Sequence, residues 1–173
     1  VSVLLSSSSL AADENDYWTI RTLPEPEGVH LEVGGLLPLG GGEVMACTRR
    51  GEVWVIENAM DPEQTIAVLA GSAADAEAAD DPHRVRYHLF VDGLQEPLGL
   101  ATTPADTEAR HAAIAAGTRW DGPVFVSQRG EISKMTDLDG DRHADRLETI
   151  CDDWAISGNY HEYCFGPVFQ SNG

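Results

Sequence analysis

The sequence is short of positive charge. Lys and Arg number 11 against 29 Asp and Glu, a formal net charge of −18 over 173 residues. A surface of that sign repels phosphates, which argues against nucleic acid or an anionic membrane surface as partner. Long apolar runs are also missing: no stretch reaches the roughly 18 residues of a membrane span. Aromatic residues make up only 7%, so aromatic packing is modest. There are three cysteines, Cys47, Cys151 and Cys164, with no C-x-x-C, no haem-attachment motif and no Cys/His zinc spacing. Cys47 sits in a strand pattern and reads as a buried thiol. Cys151 and Cys164 either pair with each other or remain buried thiols.

What is present is enough for a core. Hydrophobic residues reach 42%, which excludes disorder of the chain as a whole, and the length argues for one domain. Residues 1–12 are apolar and small, with Ser9 and Ala11 at the spacing of a signal-peptidase site, and they run into Asp13-Glu-Asn-Asp16. This reads as the tail of a secretory signal whose basic start is missing, and it predicts export, periplasmic or extracellular. Residues 13–173 then form the domain proper. That domain reads as incomplete at its C-terminus, because the chain stops on Asn172-Gly173, a hairpin-turn signal with no second strand after it.

Strand signals dominate. Glu43-Val-Met-Ala-Cys-Thr48, the turn Arg49-Arg50-Gly51 and Glu52-Val-Trp-Val-Ile56 read as a hairpin. Pro123-Val-Phe-Val-Ser127, Gln128-Arg129-Gly130 and Glu131-Ile-Ser-Lys-Met135 read as another. The two align with a one-residue gap around a shared Arg-Gly-Glu, which makes an internal repeat. Around it lies a second correspondence. His88-Leu-Phe-Val-Asp-Gly-Leu94 leads to Glu96-Pro-Leu-Gly-Leu-Ala101, and Arg146-Leu-Glu-Thr-Ile-Cys151 leads to Phe165-Gly-Pro-Val-Phe169. Four-stranded units in series predict an all-β fold, a partial β-propeller of about two blades, with a third beginning near Phe165. Two inserts interrupt the strands. Residues 67–82 read as a solvated acidic loop, and Thr107 to Ala116 as a short helix or loop built of helix formers.

The sharpest local motif is Asp137-Leu-Asp139-Gly-Asp141-Arg-His143-Ala-Asp145. Side-chain oxygens fall at positions 1, 3, 5 and 9, with the His143 carbonyl at position 7, the spacing by which a loop gathers oxygens around Ca²⁺. Position 6, usually Gly, is Arg142, and the flanks are strands, so Glu148 at position 12 lies beyond the loop. The reading is a structural calcium loop, and its alternative is a solvated acidic turn. A second dense patch is Asn159-Tyr160-His161-Glu162-Tyr163, just before the last apolar run. His161 there is either a general base facing a ligand or a histidine satisfied by loop hydrogen bonds.

On Thr48-Arg-Arg-Gly-Glu-Val, Gly93-Leu-Gln-Glu-Pro-Leu-Gly-Leu-Ala101 and His161 followed by Phe165-Gly-Pro, the chain resembles the N-terminal part of the glucose/sorbosone dehydrogenase-like propellers. It is similar in particular to propeller domains of large exported bacterial membrane-bound or haem-bearing dehydrogenase-like proteins. The resemblance spans most of residues 17–173. It implies a six-bladed propeller that oxidises a sugar or alcohol by hydride transfer to pyrroloquinoline quinone (PQQ) with calcium, and a downstream electron-transfer domain. It also implies that His161 is the general base. It does not extend to a PQQ site: Glu162-Tyr163-Cys164 and Leu94-Gln95-Glu96-Pro97 depart from the enzymes' pattern, and the loop at Asp137 is not their catalytic calcium site. The competing reading is a non-catalytic platform that binds carbohydrate or protein. On either reading the isolated 173-residue chain is expected to be inactive.

Overall fold

The computed structural model describes residues 17, 20–23, 25–62, 81–159 and 161–171. The signal-like stretch 1–12, Tyr160, the Asn172-Gly173 turn and most of the acidic insert lie outside the described residues.

Two four-stranded antiparallel sheets account for most of the regular secondary structure among the described residues. The first takes β1 (Val33–Gly40), β2 (Glu43–Thr48), β3 (Glu52–Glu57) and β4 (Arg86–Val91), and the second takes β5 (Leu100–Ala101), β6 (Val124–Ser127), β7 (Ile132–Thr136) and β8 (Arg146–Cys151). In each sheet the strands lie side by side in chain order. The two hairpins expected from the Arg-Gly-Glu repeat are the centres of the two sheets, Thr48 opposite Glu52 in one and Ser127 opposite Ile132 in the other. Period-two alternation explains the packing. Met45 and Cys47 of β2, Val53 and Val55 of β3, Val124 and Val126 of β6 and Met135 of β7 are buried in one core shared by the two sheets.

Two features depart from the sequence reading. The strand expected over Glu96 to Ala101 is regular only at Leu100–Ala101, although Leu98 and Gly99 continue its hydrogen bonding to Ser127. The strand expected over Phe165 to Phe169 does not form. Pro167 has no N–H to give to a ladder, Gly166 holds φ at +117°, and the carbonyls of Gly166 and Cys164 accept from the Ser127 hydroxyl instead. The segment still lies along the second sheet. Phe169 meets Phe125 edge to face at 4.8 Å. A Cβ on Gly99 would sit 1.8 Å from the Gly166 carbonyl oxygen, and one on Gly35 3.0 Å from the Gly99 Cα. Three segments, β1, residues 97–101 and residues 164–169, therefore run close together at glycines that admit no side chain.

The insert after β5 is a helix, α1 (Pro104–Ala116). Thr103 caps its N-terminus by accepting from the Asp106 N–H, Pro104 sits at the first turn, and Gly117 ends it in the left-handed conformation at φ 69°. It crosses back to the first sheet, where buried Arg110 donates to the Pro38 carbonyl at 2.9 Å. Trp120 then donates its backbone N–H to Leu39 at 2.8 Å and buries its ring in the shared core.

Candidate functional site

The strand directions set two ends. At one lie the β7–β8 loop, residues 137–145, the β1–β2 turn and the end of β3. At the other lie the β2–β3 and β6–β7 turns and the segments that lead into residues 97–101 and 164–169. The aspartate loop is at the first end and His161 at the second.

The aspartate loop is organised by its own carboxylates. Asp137 accepts from the N–H groups of Gly140 (2.7 Å) and Arg142 (3.1 Å), Asp139 from Asp141 (3.3 Å), and Asp145 from Leu138 (2.6 Å). One oxygen each of Asp137, Asp139 and Asp145 lies within 4.8 Å of the others, close enough to face one ion with metal–oxygen distances of roughly 2.3–2.6 Å. The converging group includes neither the Asp141 carboxylate, which accepts from the His143 N–H at 2.8 Å, nor the His143 ring. Glu148 lies on β8, beside Lys134 and Arg146. Gly140 and Arg142 both turn left-handed, at φ 83° and 70°. Arg142 thus adopts the conformation that glycine usually supplies at that position.

Arg142 also reaches out of the loop. Its guanidinium bonds Glu43 of β2 at 2.6 Å and approaches Glu57 of β3 at 3.6 Å. Arg119 lies 3.1 Å from the other Glu43 oxygen and 3.5 Å from Asp137. Glu57 in turn meets His88 at 3.1 Å, and Ala144 donates its N–H to Phe90 of β4 at 2.8 Å. The loop of the second sheet is thereby fastened to the first through charges. The side chains of Glu43 and Asp137 are only 5% and 4% exposed. Burial pushes the Asp137 carboxyl up, but the Gly140 and Arg142 N–H groups and the Arg119 guanidinium outweigh it and hold it below its ordinary value. The Glu43 carboxylate holds the Arg142 guanidinium above its ordinary value, against burial.

The opposite end is built from turns. Gln128 is buried and accepts from the Gln95 N–H at 2.6 Å, while its amide donates to Glu131 and Ser133. Arg129 donates its backbone N–H to the Gln95 carbonyl at 2.9 Å. Its guanidinium bonds Glu96 and the Asn159 carbonyl, both at 3.0 Å, and its own carbonyl accepts from the Trp154 indole at 3.0 Å. Residues 154–157 and 162–164 line an open cleft of about 240 Å³ against Arg129, with Trp154, Ile156, Glu162, Tyr163 and Cys164 in its walls. His161 lies between those two stretches. It is exposed, and its backbone N–H donates to the Asn159 side chain at 3.1 Å.

All three cysteines are free. Cys47 is buried, and that burial pushes its thiol up to about 11. Cys151 and Cys164 are half-buried, so the expectation of buried thiols holds for Cys47 alone.

Sequence reasoning missed Glu43, Arg119, Arg129 and Trp154. Glu43 and Arg119 carry no local signal, since their partners are distant in the chain. Arg129 did carry one: Arg-Gly-Glu stands at the turn of both hairpins. Comparison with protein-family models, with curated proteins and with solved structures finds no match.

Proposed function

We propose that the two sheets are neighbouring blades of a β-propeller, and that the end carrying His161 is its ligand-binding end. The observation behind this reading is the close approach of β1, residues 97–101 and residues 164–169 at Gly35, Gly99 and Gly166. Innermost strands converge in this way about a propeller axis. The segment that leads into the third of them carries His161 and borders the 240 Å³ cleft. The wider reading is an exported sugar- or alcohol-dehydrogenase-like propeller, with hydride passing from a sugar to a quinone in the full-length protein. In such a reaction the His161 imidazole would take the proton of the substrate hydroxyl. The aspartate loop, at the opposite end, holds Ca²⁺ through Asp137, Asp139 and Asp145 in a structural role. Carboxylate oxygens are the donors a hard cation takes, and these three would supply part of its shell of six to eight.

The described residues at the His161 end do not suit PQQ. A quinone bearing several carboxylates needs several unpaired cations, whereas Arg129 is bonded to Glu96 and Arg49 to Glu32, both at 3.0 Å, which leaves Arg50 as the one arginine of the two turns without an ion pair among the described residues. That mismatch favours a second reading, a non-catalytic platform that binds carbohydrate or protein. A reconstitution assay separates the two: the full-length protein with PQQ, Ca²⁺ and a dye acceptor across a set of aldoses. The enzyme reading expects dye reduction that a His161→Ala variant loses. Sugar binding without turnover, unchanged in that variant, leaves the platform reading in its place.

A further inference from the structure

The two sheets place equivalent arginines in their central turns, and by contacts the counterpart of Arg129 is Arg49, although the shared Arg-Gly-Glu aligns Arg129 with Arg50. Cys47 pairs with Val53 and Ser127 with Ile132, so Arg49 and Arg129 each stand two residues beyond the matching ladder position. They make the same contacts. Each donates its backbone N–H to the carbonyl of a residue that precedes the first strand of its own sheet, Arg49 to Glu32 at 2.9 Å and Arg129 to Gln95 at 2.9 Å. Each puts its guanidinium on a glutamate there, Glu32 or Glu96, at 3.0 Å. Both then reach residues 152–164. Arg49 lies against the Tyr163 hydroxyl, and Glu32 and that hydroxyl hold its guanidinium above the ordinary value. Arg129 takes the Asn159 carbonyl at 3.0 Å.

Asn159 is the hinge of the His161 segment. Its side-chain oxygen accepts from the His161 N–H at 3.1 Å, and its carbonyl accepts from the Glu162 N–H at 3.1 Å. The Arg129 guanidinium therefore shares one carbonyl with the turn that carries His161. Trp154 closes the other side of the same segment by donating to the Arg129 carbonyl. An isolated arginine at the rim contributes little through charge alone. This one joins Glu96, Asn159, Gln95 and Trp154 at a single turn, and an ionised donor strengthens each of its side-chain hydrogen bonds.

We infer that Arg129 is a positioning residue for His161: from the β6–β7 turn it fixes the Asn159 carbonyl and with it the backbone that aims the imidazole. The inference takes its functional meaning from the reading of His161 as ligand-facing, but its geometry is tested independently of any ligand. The test is amide hydrogen exchange and His161 ring ¹H–¹⁵N resonances in Arg129→Gln, Arg129→Lys and, as a control in the other turn, Arg50→Gln.

In Arg129→Gln the His161 and Glu162 amides exchange about tenfold faster, the size expected from losing a charged hydrogen bond. The ring resonances move, and amides of the β6–β7 ladder keep their protection. Arg129→Lys, which keeps the charge but not the fork, recovers part of the protection, and Arg50→Gln changes nothing at residues 159–163. Unchanged exchange and ring resonances in Arg129→Gln would overturn the inference. So would an equal loss of protection in the ladder, since that is general loosening. If Arg129→Gln does not fold, Arg129→Lys decides alone, with native-like exchange and ring shifts counting against. Failure of His161→Ala to alter sugar turnover or binding would sink the ligand-facing reading and leave the exchange result standing.

Discussion

The two ends of the paired sheets are tied by different chemistry. At the aspartate-loop end, Arg142 and Arg119 meet Glu43 and Asp137 in a cluster whose carboxylate side chains are at most 5% exposed. At the His161 end, Arg129 meets Glu96 with the two side chains 18% and 29% exposed, and its other partners are backbone carbonyls. Buried charges cost much to desolvate and more to leave unpaired, so such a cluster tolerates one geometry only. A pair whose carboxylate reaches solvent is screened and contributes less to stability. The first end thus fixes how the sheets sit against each other, while the second holds a loop in place without making the fold depend on it. A binding surface belongs at the end where contacts can change without unfolding the protein.

The sharpest way to break this comparison is to remove one carboxylate from each end. Glu43→Ala takes the nearest carboxylate from Arg142 and Arg119, which keep only Glu57 at 3.6 Å and Asp137 at 3.5 Å, and is expected to cost about 3 kcal/mol, the low end for a broken buried pair because both guanidiniums reach solvent. Glu96→Ala exposes Arg129 to water and is expected to cost at most about 1 kcal/mol. Urea midpoints of the two variants measure the difference. Equal losses would mean that the ends are energetically alike and that the exposure difference decides nothing.

The parts of this arrangement that a sequence can display are the local ones. The central hairpins are legible because alternation and Gly-bearing turns act over a few residues. The convergence of Asp137, Asp139 and Asp145 is legible for the same reason, since loop spacing alone brings them together. β1 is not legible. Val33-Gly-Gly-Leu-Leu-Pro38 has no alternation and contains three strand breakers, and it becomes a strand because β2 pairs with it across two register shifts. The last apolar run fails in the opposite sense: its composition reads as strand, but Gly166 and Pro167 prevent a ladder. The charge cluster is invisible for a different reason. Glu43 and Arg142 are separated by 99 positions, and only the packing of one sheet on the other brings them together.

Calcium gives a smaller effect at the same end. If Asp137, Asp139 and Asp145 take the ion, a ligand that binds only the native state raises its stability by about 2.7 kcal/mol at roughly a hundredfold excess over Kd. That corresponds to an upward shift in Tm of several degrees, followed by thermal unfolding with and without Ca²⁺. Asp139→Asn is expected to abolish the shift, because Asp139 takes no part in the charge cluster but does face the ion. An unchanged Tm at millimolar Ca²⁺ sinks the calcium loop. Protons compete for the same oxygens. Because the folded Asp137 carboxyl lies below the ordinary 3.8, its contribution to stability is complete above that value. It is lost only as the pH falls through the lower folded value. Without Ca²⁺ the stability that Asp137 contributes should therefore be intact at pH 5 and be lost in acid, and Asp137→Asn should flatten that acid-induced loss.

The cysteines sharpen the comparison with the smallest perturbation of all, since alkylation needs no mutation. Cys47 lies in the core between the sheets with its thiol pushed up to about 11, so at pH 8 it is both inaccessible and almost wholly protonated. Cys164 lines the cleft at the His161 end, and Cys151 ends β8 on the same side. Iodoacetamide at pH 8, followed by mass spectrometry of the peptides, is expected to modify Cys151 and Cys164 and to spare Cys47 until denaturant is added. Thiolate chemistry follows exposure and charge state together, and both favour the open end. Modification of Cys47 at a rate similar to Cys164 would show that the sheets separate readily in the native protein. The buried cluster at the far end would then not be the fastening that its geometry implies.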